Sequence, residues 1–320
     1  MSTPRLCAAA YELGEYEAPV TELPELSAAP DVAAELTSAA AGFSVYRWSQ
    51  APLVELMAAA VQKCLAGAGV PGKAVDTVLL ATDSLPHDRG AHRDVAELLQ
   101  ETGMTGATVA TLGLMDCATA MFALGNAASL VRDGTARHVM VVSGDLADLS
   151  TGGERLVAGG AAIASDGAAA ALVSADAPGL PILAMAHHGA AEERRDAPPH
   201  QRLTARLTAY RELFTGLADR HRVRPDRSLV LPSNFARNVM EMYLADVGFD
   251  SRRIALDSVG RIAHCQGSDP LIHLADRLGA PEPATGPGTP EEYVLLGAGM
   301  SHLAAVLLGA DALPAEGEFR

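Results

Sequence analysis

The chain has 320 residues, of which 49% are hydrophobic, 20% charged and only 4% aromatic, with 30 glycines. That is enough apolar material for a large core packed on Ala, Val, Leu and Gly, and it excludes an intrinsically disordered chain. Acids outnumber bases 39 to 24, a formal net charge of −15, which disfavours a nucleic-acid binder or a protein held on an anionic membrane.

The N-terminus, from Met1 to Cys7, has no apolar stretch behind a basic start, so no signal peptide is expected. The longest uncharged apolar stretch, residues 117–131, is 15 residues long. A membrane span needs about 20, so a buried helix is expected there. Cys7, Cys64, Cys117 and Cys265 show neither CxxC spacing nor disulfide-framework density. The expectation is a soluble, cytoplasmic protein with reduced thiols.

In chain order, residues 53–65 carry apolar positions at helical spacing, and glycines 67 and 69 with the Pro71-Gly72 turn end the segment. Residues 75–81 (VDTVLLA) form a nearly continuous apolar run, as a strand covered on both faces requires. Residues 95–99 begin another helix, 107–114 another strand-like run, and 117–131 the Ala-rich buried helix. After Asp133-Gly134, residues 138–143 (HVMVVS) read as a third buried strand. This alternation predicts an α/β fold around a central sheet.

Residues 167–179 (GAAAALVSADAPG) and 303–314 (LAAVLLGADALP) are similar to each other. Both are Ala-rich apolar runs ending in Ala-Asp-Ala and a proline, and both follow a glycine-rich turn. The apolar runs at 75–81 and 228–231 also occupy comparable places. The repeat predicts two related α/β halves, residues 1–179 and 180–320.

Cys117 follows a strand-like run and opens the long apolar helix. A thiol there faces the positive end of the helix dipole, which favours the nucleophilic thiolate. A free cysteine can equally be a small core hydrophobe. Cys64, inside a helical pattern beside Lys63, reads as packing.

The segment DCATAMFAL (116–124), followed by Gly134 and HVMVVSGD (138–145), resembles the nucleophile region of the thiolase-fold ketoacyl-ACP synthase III enzymes. SDGAAAAL (165–172) resembles that family's Asp-Gly strand entry, and GAGMS (297–301) its C-terminal glycine turn. The resemblance spans roughly residues 50–309 in the right order. It implies a thiolase-like fold of two duplicated halves, layered α-β-α-β-α, with Cys117 accepting an acyl group. It also implies an oxyanion hole from the N–H groups of Cys117 and Gly299.

The family's condensing His/Asn pair departs here. Pro232-Ser233-Asn234 stands where the histidine belongs, and His264 replaces the asparagine. Decarboxylative condensation needs two donors to hold a developing enolate. A thiol and one imidazole suffice for ping-pong transfer, with His264 deprotonating an incoming alcohol or amine. Asp269 either orients that imidazole as a third triad member or is a turn residue before Pro270. Ser233, Asn234, His187 and His188 are candidate substrate contacts; adjacent histidines point apart, so no metal site is expected.

Residues 194–261 hold 13 Arg against 8 acids, while the remainder holds 11 bases against 31 acids. The Arg-rich stretch reads either as solvated helix faces or as a dock for an acidic acyl carrier protein or CoA phosphates. Arg202, Arg206, Arg222 and Arg237 are the candidates for that role. The resemblance thus implies a homodimeric acyltransferase of natural-product biosynthesis, such as antibiotic biosynthesis, needing no cofactor beyond its thioester substrate. The alternatives are a condensing 3-oxoacyl-ACP synthase and a silent carrier-binding partner subunit.

Overall fold

The apolar runs expected as strands join a single sheet. The structure, a computed structural model, describes residues 2–85, 90–189, 197–279 and 289–311. The first part of the chain supplies β1 (Arg5–Leu13), β2 (Tyr16–Pro19), the short helices α1 (Pro24–Ala28) and α2 (Pro30–Leu36), β3 (Val45–Trp48), α3 (Leu53–Ala68), β4 (Thr77–Ala81), α4 (Gly90–Glu101) and β5 (Thr108–Leu112). Then come α5 (Thr119–Asp133), β6 (His138–Asp145), the one-turn α6 (Ala147–Ser150), β7 (Leu156–Val157), β8 (Ala162–Ile163) and β9 (Gly167–Ser174). The rest supplies β10 (Leu180–Gly189), α7 (Pro199–Ala218), β11 (Ser228–Pro232), α8 (Arg237–Asp246), α9 (Val259–Ile262), α10 (Asp269–Gly279), β12 (Glu292–Ala298) and β13 (His302–Gly309).

The nine-stranded sheet runs β11-β12-β13-β10-β1-β9-β6-β4-β5, with β1 bridging to β10 through Arg5 and Leu6. Helices α3 and α4 cover one outer face, and α7 and α8 the other. Between the two parts of the sheet lie α5 and α10, which pack on strands from both.

The small-residue composition has its explanation in the doubly buried strands. Along β9, Ala168, Ala170 and Leu172 face the α3 layer, while Ala169, Ala171 and Val173 face the central helices. Along β13, Leu303, Ala305 and Leu307 face the α7 layer, and Ala304, Val306 and Leu308 the centre. Period-two alternation with apolar residues on both sides is what a sheet covered on both faces demands. We propose the turn joining β9 to β10 as the boundary between 1–179 and 180–320.

Three strands of this sheet, β1, β10 and β12, were not expected. β1 has the sequence RLCAAAYEL, low in β-branched residues, and its burial between β9 and β10 overrides that weak propensity. β10 fills the junction where only a dividing segment was expected.

Candidate active site

Cys117 lies in a single 3₁₀ turn, Asp116–Ala118, immediately before α5. The turn is gripped from below by the β12–β13 hairpin. A Cβ on Gly297 would stand 2.5 Å from the Cys117 carbonyl oxygen, and one on Gly299 would stand 2.6 Å from the Asp116 Cβ. Only glycine permits this approach, and the Met300 N–H then donates to the Asp116 carboxylate at 3.0 Å.

His264 is fully buried and held by its backbone: its N–H donates to the Ile163 carbonyl, and its own carbonyl accepts from the Ser165 N–H. Its Nε2 lies 3.0 Å from Cys117 Sγ, and its Nδ1 lies 2.5 Å from Asp269 Oδ2. Asp269, the first residue of α10, also accepts from the N–H groups of Cys265 (2.8 Å) and Asn234 (2.7 Å). Phe235 meets the imidazole edge-on at 5.4 Å. Burial alone would push the His264 pKa down. The sulfur of Cys117 and the carboxylate of Asp269 outweigh burial and hold it up at about 10.

Cys117 and His264 open on a cavity of about 480 Å³, lined also by Asp83, Asp116, Arg202 and Phe235. Of the five non-glycine residues with positive φ among the described residues, Asp116, Ala158 and Gln266 line it and Ala263 precedes His264, while Leu114 lies outside. Each such conformation costs roughly 1–3 kcal/mol, and their clustering here marks the part of the fold held under tension. Among the described residues, no group of His, Cys, Asp and Glu could hold a metal ion.

Cys117, His264 and Asp269 therefore meet, although 147 residues separate the first two. Several other expected placements are corrected. Ser233 and Asn234 are fully buried and do not line the cavity; the Ser233 hydroxyl accepts from the Ala298 N–H at 3.0 Å. His187 and His188 sit on β10 away from the cavity, with His187 edge-on to Phe122. The Gly299 N–H donates to the His302 carbonyl at 2.9 Å, closing the hairpin, so it is not free for an oxyanion. The Cys117 N–H donates to no backbone carbonyl among the described residues.

Among the arginines, Arg206 is buried and donates to the Gly299 and Met300 carbonyls, bracing the glycine turn rather than meeting a partner. The Arg237 guanidinium turns inward to the Leu256 carbonyl and packs over Gly42. Arg222 is exposed, and Arg202 lines the cavity with a buried Nε that has no hydrogen-bond partner. Arg194 and Arg195 lie outside the described residues. The Asp166 carboxylate is also structural: it pairs end-on with both terminal nitrogens of Arg155 and accepts from the Ser49 and Ala147 N–H groups.

Sequence reasoning missed Phe235 and Gln266 as cavity residues and gave the buried Arg206 a docking role it does not have. For Arg206 a signal existed, because it falls in register with Ala209, Tyr210, Leu213 and Leu217 on the apolar stripe of α7.

Fold and site together define a layered α/β protein carrying a Cys–His–Asp array. Residues 114–190 match the family model described as 3-oxoacyl-[acyl-carrier-protein (ACP)] synthase III. No curated protein matches the chain by sequence. Among solved structures, a variant of OleA from Xanthomonas campestris aligns over 96% of this chain and 98% of its own, with a TM-score of 0.76 at 14% identity. A structure described as ChlB3, an acyltransferase, aligns over 96% of this chain and 97% of its own, with a TM-score of 0.77 at 20% identity. The chain has the thiolase-like fold of both.

Proposed function

We propose that the protein is an acyltransferase that moves an acyl group from a carrier-protein or CoA thioester, through Cys117, to a hydroxyl or amine acceptor. The observation that carries this is the continuous Sγ–imidazole–carboxylate chain on the cavity wall, at 3.0 and 2.5 Å. His264 takes the thiol proton, and the sulfur attacks the thioester carbonyl. The tetrahedral oxyanion faces the Cys117 N–H. Collapse expels the donor thiol, which leaves with the proton from His264. With that proton gone His264 is a neutral imidazole, and the acylated sulfur, which no longer carries a negative charge, does not draw one back to it. That imidazole then removes the proton of the acceptor as it attacks, and Cys117 departs as the leaving group.

The condensing alternative needs a second donor opposite His264. Ser233 and Asn234, which stand where that donor would come from, face into the protein instead. The likeness to ChlB3 supports the transfer reading. A homodimer in the cytoplasm, taking acyl carrier protein or CoA as donor in a natural-product pathway, completes the proposal.

The test is intact-protein mass spectrometry after incubation with a panel of acyl-CoAs and acyl carriers. A single acyl adduct is expected, and its persistence in Cys117→Ala would sink the nucleophile assignment. The absence of an adduct from every donor would favour a silent partner subunit. Malonyl-dependent CO2 release would return the condensing alternative.

A further inference from the structure

We propose that Asn234 is a positioning residue that fixes His264 and Asp269 to each other from a site with no access to the cavity. The inference rests on the reading of His264 as the base for Cys117.

Asn234 is the second residue of the link between β11 and α8, and no part of it is exposed. Its backbone N–H donates to Asp269 Oδ2 at 2.7 Å, the same oxygen that faces His264 Nδ1. Its Nδ2 donates to the Ala263 carbonyl at 2.7 Å and lies 2.9 Å from Ser258 Oγ. The Ala263 carbonyl can only accept, which settles the orientation of the amide and leaves Oδ1 to accept from His273 Nε2 at 2.9 Å. One residue thus grips the carboxylate with its main chain and the residue before His264 with its side chain.

Ala263 is the point that needs gripping. It has φ 49° and ψ −133°, a conformation favoured by glycine and strained for a residue with a Cβ. Left free, it would relax toward ordinary dihedrals and carry the imidazole with it. The amide of Asn234 opposes that relaxation, and the buried His273 keeps the amide from rotating. An apolar side chain would fill the same space without a polar group to desolvate, so the retained amide has a directional task.

The experiment follows iodoacetamide alkylation of Cys117 in the full chain against pH, a readout that needs no knowledge of the substrate. Cys117→Ala supplies the background from the other thiols. Burial pushes Cys7 and Cys64 up to about 11 and 12 and Cys265 well above its ordinary value, so that background is low. Asn234→Ala is expected to slow alkylation at pH 7 about tenfold and to move its pH profile toward that of His264→Ala. Adding Ala263→Gly to Asn234→Ala should restore much of the rate, because glycine takes the dihedrals unaided.

If His264→Ala reacts like the wild type, the reading of His264 as base falls. If His264→Ala is slow while Asn234→Ala keeps the wild-type rate and profile, the positioning role is overturned and the base reading stands. Failure of Ala263→Gly to restore any rate would mark Asn234 as ordinary packing and also overturn it. Should Asn234→Ala not fold, His273→Leu releases the amide while leaving Asn234 in place. A slower, shifted profile supports the role, and a wild-type profile ends it.

Discussion

In the proposed transfer, His264 has to be an acid while a donor thiol leaves and a base while an acceptor arrives. No histidine in a fixed environment does both well, but this one shares its Nε2 side with a sulfur whose charge changes during the reaction. Burial presses its pKa down, and Cys117 and Asp269 bring it up to about 10. Removing the sulfur leaves burial and Asp269 alone. NMR titration of the imidazole should therefore find His264 protonated to about pH 10 in the wild type and titrating lower in Cys117→Ala. Equal titration in the two proteins would refute the coupling. At this scale the sequence was informative about chemistry: a cysteine before an apolar helix, and a histidine five residues before an aspartate in a glycine-containing turn. It was misleading about Gly299, Arg206 and Arg237, because each residue's role depends on a hydrogen bond to a distant or folded-back carbonyl.

At the scale of elements, α10 places Asp269 and His273 one turn apart on its buried face. Burial holds His273 below its ordinary value of 6.5, against the carboxylates of Asp269, Asp276 and Asp257 and aided by Arg277. A histidine with a depressed folded pKa contributes fully above 6.5, where both states are neutral, and loses that contribution as pH falls through the folded value. Urea unfolding at pH 7 and pH 5 should show the wild type losing more stability on acidification than His273→Leu does. The β12–β13 hairpin makes a second prediction. Gly297→Ala sets a Cβ against the Cys117 carbonyl oxygen at 2.5 Å and the Ala118 Cα at 2.9 Å, both main-chain atoms that cannot swing aside. A loss of about 1–3 kcal/mol in urea unfolding is expected, with slower Cys117 alkylation. An unchanged alkylation rate would show that the hairpin does not hold the nucleophile turn. Most of the doubly buried strands were legible as apolar runs, whereas β1, β10 and β12 were not. The place of β1 and β10 in the sheet comes from the strands that flank them.

For the whole molecule, β5 leaves one edge of the nine-stranded sheet open, and Leu114 just beyond it is 87% exposed. An open edge ending in an exposed leucine is a pairing surface. A second copy meeting it across a two-fold axis would extend the sheet without exposing a new edge at that junction. Light scattering should give the mass of a dimer, and Leu114→Asp should shift it toward the monomer; a wild-type monomer would remove the proposal. No helix among the described residues is long and apolar enough to cross a membrane.

The sequence by itself determined the α/β class, and it named Cys117 and His264 as reactive candidates while leaving Asp269 open between a triad member and a turn residue. It could do so because local periodicity and residue chemistry are written in short segments. Only the tertiary structure decided which N–H groups are free, which arginines face solvent and that Asn234 joins Ala263 to Asp269. Those depend on carbonyls and carboxylates brought within about 3 Å from far along the chain, and no spacing along one dimension encodes them.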